Sequence, residues 1–158
     1  MKKIINSNSG ITIAALIITI IVMMIIAAIS VYEGRELIAK SRIQTLEANM
    51  LKIQAKAKAY AEEIDAKIWT INNSNDKENK RKEEFSSKGL TRIGETDTYT
   101  VTNDGLVKMG LNDLKNEVYT VIYSNEYKSI DVQYSEGVSY KGNTYTKLSE
   151  LEHVLSQY

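Results

Sequence analysis

Residues 9–32 read SGITIAALIITIIVMMIIAAISVY, and this stretch decides the fold. From Ile11 to Tyr32 it holds no charged residue, no proline and no glycine. As a helix it is ~33 Å long at 1.5 Å per residue, enough to cross the hydrocarbon core of a bilayer. Lys2 and Lys3 precede it, and a short polar stretch (Asn6, Ser7, Asn8, Ser9) ends at Gly10. Beyond Tyr32 the charge-free run stops at Glu33, Gly34, Arg35 and Glu36, yet the sequence stays helix-forming to about Lys67.

Working outward, apolar residues recur at Ala39, Ile43, Leu46, Met50, Ile53, Ala57, Tyr60 and Ile64, with spacings that alternate four and three. That is one seam on a helix, with Arg42, Glu47, Lys52, Lys56, Lys58, Glu62 and Glu63 mostly off it. The period also suits a coiled coil, but a helix laid across a sheet by one face explains it as well. Gly34 costs about 1 kcal/mol relative to Ala and marks a place where the helix can bend.

From Asn72 to Ser87 the residues are polar or charged except Phe85, which reads as a solvated loop or frayed helix, or an exposed surface for a partner. Strand signals follow. Tyr99 to Thr102 is short and β-prone, and Leu106 to Leu114 reads as a small helix or turn. Two alternating runs, Val118–Tyr123 and Ile130–Ser135, flank a turn at Ser124, Asn125 and Glu126. Glu136-Gly137 reads as another turn, and Gly142-Asn143 as a two-residue hairpin loop that pairs Val138 and Tyr140 with Tyr145. Ser149 and Glu152 read as a capping box for a last helix whose face is Leu151, Val154, Leu155 and Tyr158.

The expected class is therefore α+β: a long N-terminal helix, half membrane-spanning and half amphipathic, packed on a small antiparallel sheet with a short C-terminal helix. The expected segments are a leader over 1–10, an apolar helix over 11–32, its amphipathic continuation over 33–68, a charged connecting loop over 69–98, and a β-rich domain over 99–158. The 158 residues leave room for one small domain besides the apolar segment. Zero net charge gives no bulk attraction to nucleic acid or anionic lipid. With no cysteine, disulfides and thiolate metal sites are excluded. Proline is absent too, and eight of the ten tyrosines lie from Tyr99 onward, in the β-prone half.

Three readings compete for the N-terminus. A cleaved secretory signal fits the basic start, but the apolar run exceeds the usual 7–15 residues, and Ala27 to Ser30 is the nearest approach to a small-residue cleavage site. An uncleaved single-pass anchor fits as well, with basic residues on both flanks (Lys2 and Lys3 before, Arg35, Lys40 and Arg42 after) giving little orientation bias. In the third reading, Ser9 to Ile17 resembles the start of a type IV pilin or pseudopilin precursor. The features in common are a short basic leader ending in glycine, a hydrophobic first mature residue, Thr12 second, and an unbroken apolar helix. The resemblance covers about Lys2 to Tyr60. It implies cleavage between Gly10 and Ile11 by a prepilin peptidase and methylation of the new amine on Ile11. It also implies storage in the cytoplasmic membrane with the C-terminal domain outside, then assembly into a cell-surface filament through contacts with other pilin-like subunits and a membrane assembly platform. One position departs from the pattern. Ala15 stands at the fifth mature position, where the family usually carries a glutamate that pairs with a neighbouring subunit's amine. Some minor and initiating subunits also lack it.

Enzyme chemistry finds no support in the sequence. His153 is the single histidine and has no cysteine or second histidine to work with. Glu62-Glu63 and Glu83-Glu84 lie in strongly charged stretches that read as solvated. There is no phosphate-binding glycine loop or nucleophile elbow. The expectation is thus no enzyme, with no catalytic residue, metal ligand or cofactor assigned. The expected function is a structural subunit of a pilus-like or secretion pseudopilus-like filament. The alternative is a single-pass surface protein displaying a small α/β binding domain.

Overall fold

A computed structural model of the chain describes residues 9–114, 116–124 and 129–156. Lys2, Lys3, most of the leader, Asn125, Glu126 and Tyr158 lie outside the described residues. The architecture is the expected α+β arrangement of long helix, antiparallel sheet and short last helix. Helix α1 runs Ser9–Ile68 and continues through Gly34 without interruption. The chain divides into two compact units between Ser41 and Arg42.

In the second unit the seam does what its period predicts. Ile43, Met50, Ile53, Ile64 and Ile68 are fully buried, with Leu46, Ala57 and Ala61 beside them. Each such Ile or Met contributes roughly 2 kcal/mol by leaving water. Ala61 and Ile68 take the place expected for Tyr60, which stands at the seam's edge, its ring 5.0 Å from Lys88 Nζ. Polar side chains on the seam's flanks fix the helix on the sheet: Gln54 donates to the Ile130 carbonyl at 2.7 Å, and the Tyr123 hydroxyl donates to Asp65 at 3.4 Å.

The sheet is a simple antiparallel meander in chain order: β1 (Leu90–Arg92), β2 (Thr98–Val101), β3 (Tyr119–Ser124), β4 (Ser129–Tyr140) and β5 (Asn143–Lys147). Its register aligns the buried residues into rows. One row pairs Leu90 with Val101, Val101 with Tyr119 and Tyr119 with Tyr134; the next pairs Tyr99 with Val121 and Val121 with Val132. Alternation in β3 is strict, with Tyr119, Val121 and Tyr123 buried and the residues between them half-exposed. Helix α3 (Asn103–Lys108) and a single 3-10 turn (Asn112–Leu114) fill the β2–β3 connection, close to the expected small helix.

Four local expectations are corrected. The charged stretch expected as loop is largely helix α2 (Ser74–Ser87), followed directly by β1. Its N-cap is Asn73, whose side chain accepts from the N–H groups of Asn75 (2.9 Å) and Asp76 (3.5 Å). Lys82–Glu78 (3.1 Å) and Lys80–Glu83 (2.8 Å) then support it at helical spacing. Glu136-Gly137 is not a chain reversal: between the pairs Gln133–Lys147 and Val138–Tyr145, β4 advances five residues and β5 only two, so β4 bulges. Gly137 has φ +68° there, and a Cβ would lie 2.9 Å from the Tyr145 carbonyl oxygen. The hairpin loop is Lys141-Gly142, one residue earlier than expected, because Asn143 pairs with Tyr140. Positive φ at both loop positions (49° and 82°) is the type I′ requirement. Finally, α4 (Leu148–Leu155) starts at Lys147, and Ser149 lies in its first turn rather than at its cap. Glu150 accepts from the N–H groups of Thr146 (3.1 Å) and Lys147 (3.2 Å), and Asp131 of β4 accepts from the Ser149 hydroxyl at 2.9 Å. Leu148 and Leu151 are fully buried.

Candidate functional site

The residues singled out by sequence all lie at the start of α1. Gly10 and Ile11 fall in its first turns, so the peptide bond between them is helical. No acidic residue stands in that first turn to complement the helix N-terminus. Ala15 is exposed, one turn further on.

From Ile13 to Tyr32 every residue is exposed. The side chains are large and apolar: Ile13 is 60% exposed, Met23 73% and Ile26 58%. The Thr19 hydroxyl is satisfied within the helix by the Leu16 carbonyl at 2.8 Å, so it makes no demand on solvent. Among the described residues nothing in its own unit covers this apolar surface. The helix is long and apolar enough to span a membrane near the N-terminus.

In the second unit the chemistry is that of ion pairs. Glu63 binds Lys88 (2.6 Å) and Lys67 (3.0 Å), and Lys67 also reaches Glu84 (3.0 Å). The Lys88 and Lys67 ammonium groups hold the Glu63 carboxyl below its ordinary value, and Glu63 with Glu84 raises Lys67 in turn. Arg92 of β1 donates to Glu78 at 2.6 Å, to the Thr96 carbonyl at 2.8 Å and to the Glu95 carbonyl at 2.5 Å. Arg92, then Lys82, lowers the Glu78 carboxyl. A polar cleft of about 400 Å³ lies between α2 and the β1–β2 hairpin, with Arg81, Glu78, Arg92 and Asp97 on its walls. The guanidinium of Arg92 is bound to protein acceptors along both edges, which makes it a structural tie. The sequence shows Glu63 and Glu84 as solvated charges with i,i+4 lysines at Lys67 and Lys80; the partners in other elements, Lys88 for Glu63 and Lys67 for Glu84, carry no local signal.

Burial dominates the tyrosines. It pushes Tyr99 up to about 12, with the Asp97 carboxylate adding to the effect. Burial also raises Tyr119 far above its ordinary range, assisted by its hydrogen bond to Glu117. His153 is exposed on α4. Among the described residues no three His, Cys, Asp or Glu side chains gather as a metal site would require. Comparison with protein-family models, curated proteins and solved structures finds no match to this chain.

Proposed function

We propose that the chain is a structural subunit of a filament of the type IV pilus or secretion pseudopilus kind, in a minor or initiating role. The observation that carries this reading is the exposed, charge-free and predominantly apolar run Ile13–Tyr32 on the same helix whose later residues form the seam of an α+β domain. Lipid covers that run while the subunit is stored in the cytoplasmic membrane with its C-terminal domain outside. A membrane assembly platform then moves it into a filament core, where contacts with the helices of other pilin-like subunits replace lipid. Lipid tails and apolar side chains are equally apolar, so the exchange is driven by close packing rather than by the hydrophobic effect. The leader ends at Gly10, and prepilin peptidase exposes and methylates Ile11. Ala15 leaves the segment without a charge to pair across subunits, which supports a role outside the repeating bulk of the filament.

Intact-mass measurement of the membrane-extracted protein tests the processing step. The expected species begins at methylated Ile11, and Gly10→Ala blocks its formation. A chain starting at Met1 or Lys2 with no methylation refutes the reading. A second reading, a single-pass protein that displays its domain without polymerising, also draws on Ala15, because an anchor needs no pairing charge. It expects uncleaved protein and no filament by electron microscopy.

A further inference from the structure

Helix α2 is attached in an unusual way. It buries one side chain, Phe85, whose ring meets Tyr99 at a centroid distance of 4.5 Å. Arg81 also stacks over the Tyr123 ring at 5.5 Å, and Lys108 donates to the Ser87 carbonyl at 3.0 Å, but most links from α2 to its neighbours are ion pairs. Glu84 reaches Lys67 of α1 (3.0 Å), Arg81 reaches Asp65 of α1 (2.5 Å), Glu78 reaches Arg92 of β1 (2.6 Å), and the C-capping Lys88 reaches Glu63 of α1 (2.6 Å). Between α2 and the β1–β2 hairpin lies the polar cleft of about 400 Å³, where a packed interface would hold apolar side chains. The chain also has a place to swing, because a largely exposed segment, Trp69 to Asn73, leads into α2.

We propose that α2 is an ionic latch, a helix that releases from the end of α1 and from the β1–β2 hairpin as ionic strength rises, while the sheet beneath stays intact. Salt acts on the two parts differently. Each pair that ties α2 to its neighbours has one accessible partner, Lys67, Asp65, Glu63 or Glu78 at 41–51% exposure, so salt reaches it. The screening length is ~10 Å at 0.1 M and ~3 Å at 1 M, though salt screens such half-covered pairs less than fully exposed ones. The sheet rests on buried Leu90, Val101, Tyr119, Val121 and Val132, whose burial salt does not weaken. Segments with few buried apolar contacts open below the global unfolding threshold as separate units. Release uncovers the Phe85 and Tyr99 rings, giving the domain an aromatic surface that the latched state hides.

Amide hydrogen exchange on the full-length protein in neutral detergent micelles, at low and high sodium chloride, tests this. Amides of Lys77 to Ser87 are expected to exchange on the order of fivefold faster in high salt, the weakening of several half-covered pairs together. Amides of β3 are expected not to change. Equal acceleration of α2 and β3, or no acceleration of α2, overturns the proposal. The double variant Glu63→Gln, Glu78→Gln is expected to show fast α2 exchange already at low salt, and wild-type protection in it overturns the proposal. Among the described residues Lys80 pairs within α2, with Glu83 and Glu84, so Lys80→Gln separates release from simple fraying. The salt response is expected to survive Lys80→Gln, and its disappearance there counts against the latch.

Discussion

Replacing Gly105 by alanine sets two physical rules against each other. Gly105 lies inside α3, where alanine is the better helix former by about 1 kcal/mol, so propensity alone expects stabilisation. The packing expects the opposite. A Cβ on Gly105 would sit 2.3 Å from the Gly89 carbonyl oxygen and 2.9 Å from its carbonyl carbon. Carbon–oxygen contacts begin near ~3.3 Å, so the two backbones must part by about 1 Å. They are not free to do so. The Gly89 carbonyl accepts from the Thr102 N–H and the Thr102 hydroxyl, both at 2.9 Å. The same hydroxyl oxygen accepts from the Gly105 N–H at 3.1 Å and so caps α3.

Separating the strands of this knot weakens two or three hydrogen bonds at roughly 1 kcal/mol each. Forced overpacking adds ~1–3 kcal/mol. After the propensity gain is subtracted, Gly105→Ala is expected to destabilise the domain by about 2–5 kcal/mol, a large share of the 5–15 kcal/mol typical of a domain this size. Thermal unfolding of the full chain in neutral detergent, followed by the near-ultraviolet signal of buried Tyr99 and Tyr119, reads the effect as a Tm lowered by ~10 °C. Gly34→Ala is the control, since nothing lies within 4 Å of a Cβ there and it stays within α1. A Tm for Gly105→Ala equal to or above the wild type's would refute the reasoning.

Three other outcomes are expected. Glu63 and Glu78 have carboxyls held below the ordinary 4.5, so their contribution is fully present at neutral pH and is lost as pH falls below about 4.5 through their folded-state values. Tm should therefore fall in acid, and less steeply in Glu63→Gln, Glu78→Gln; identical acid slopes would remove that assignment. Tyr99 is raised from 10 to about 12, so the stability that its neutral phenol brings is full below pH 10 and lost between 10 and 12. Urea midpoints over that range should fall less in Tyr99→Phe, and a parallel fall would show that the phenol of Tyr99 is not responsible. Asp131→Ala removes the acceptor for the Ser149 hydroxyl and N–H, an expected loss of about 1–2 kcal/mol in urea unfolding, and an unchanged midpoint would show that this contact does not hold α4.

The long helix and the meander were legible because their periods persist. A four-three spacing from Ile43 to Ile64 has one helical reading, and Val118–Tyr123 alternates without a fault. Helix α2 was not legible by the same rule, since Phe85 is its single apolar residue and no period exists to detect. Its signals are the Asn73 cap and the charge spacing, which a solvated loop of the same composition also shows. The hairpin slipped by one residue because Lys141-Gly142 and Gly142-Asn143 both contain a turn former, and only the pairing of Tyr140 with Asn143 chooses between them. Glu136-Gly137 carries the glycine of a turn but serves a bulge, a distinction that depends on the β5 register. The Gly89–Gly105 contact joins positions 16 apart and leaves no trace in local sequence. At the candidate site, Gly10, Ile11 and Ala15 form a pattern in the sequence, and the structure adds helical backbone there and exposure at Ala15.

The two parts of α1 make the physical case in contrast. Along the seam every large apolar residue finds a partner inside the domain, and the sequence alternates with charge because the opposite face meets water. Between Ile13 and Val31 no such economy operates: eleven Ile, Leu and Val side chains point all round the helix and every residue there is exposed. At roughly −0.5 kcal/mol each on an insertion scale, they favour a bilayer by ~5 kcal/mol. A glutamate at position 15 would cancel about 3 kcal/mol of that unless a partner neutralised it. Ala15 leaves the whole preference in place. On the filament reading proposed above, whatever replaces lipid around the segment must match that apolar surface by shape, since the segment carries no charge with which to specify a neighbour.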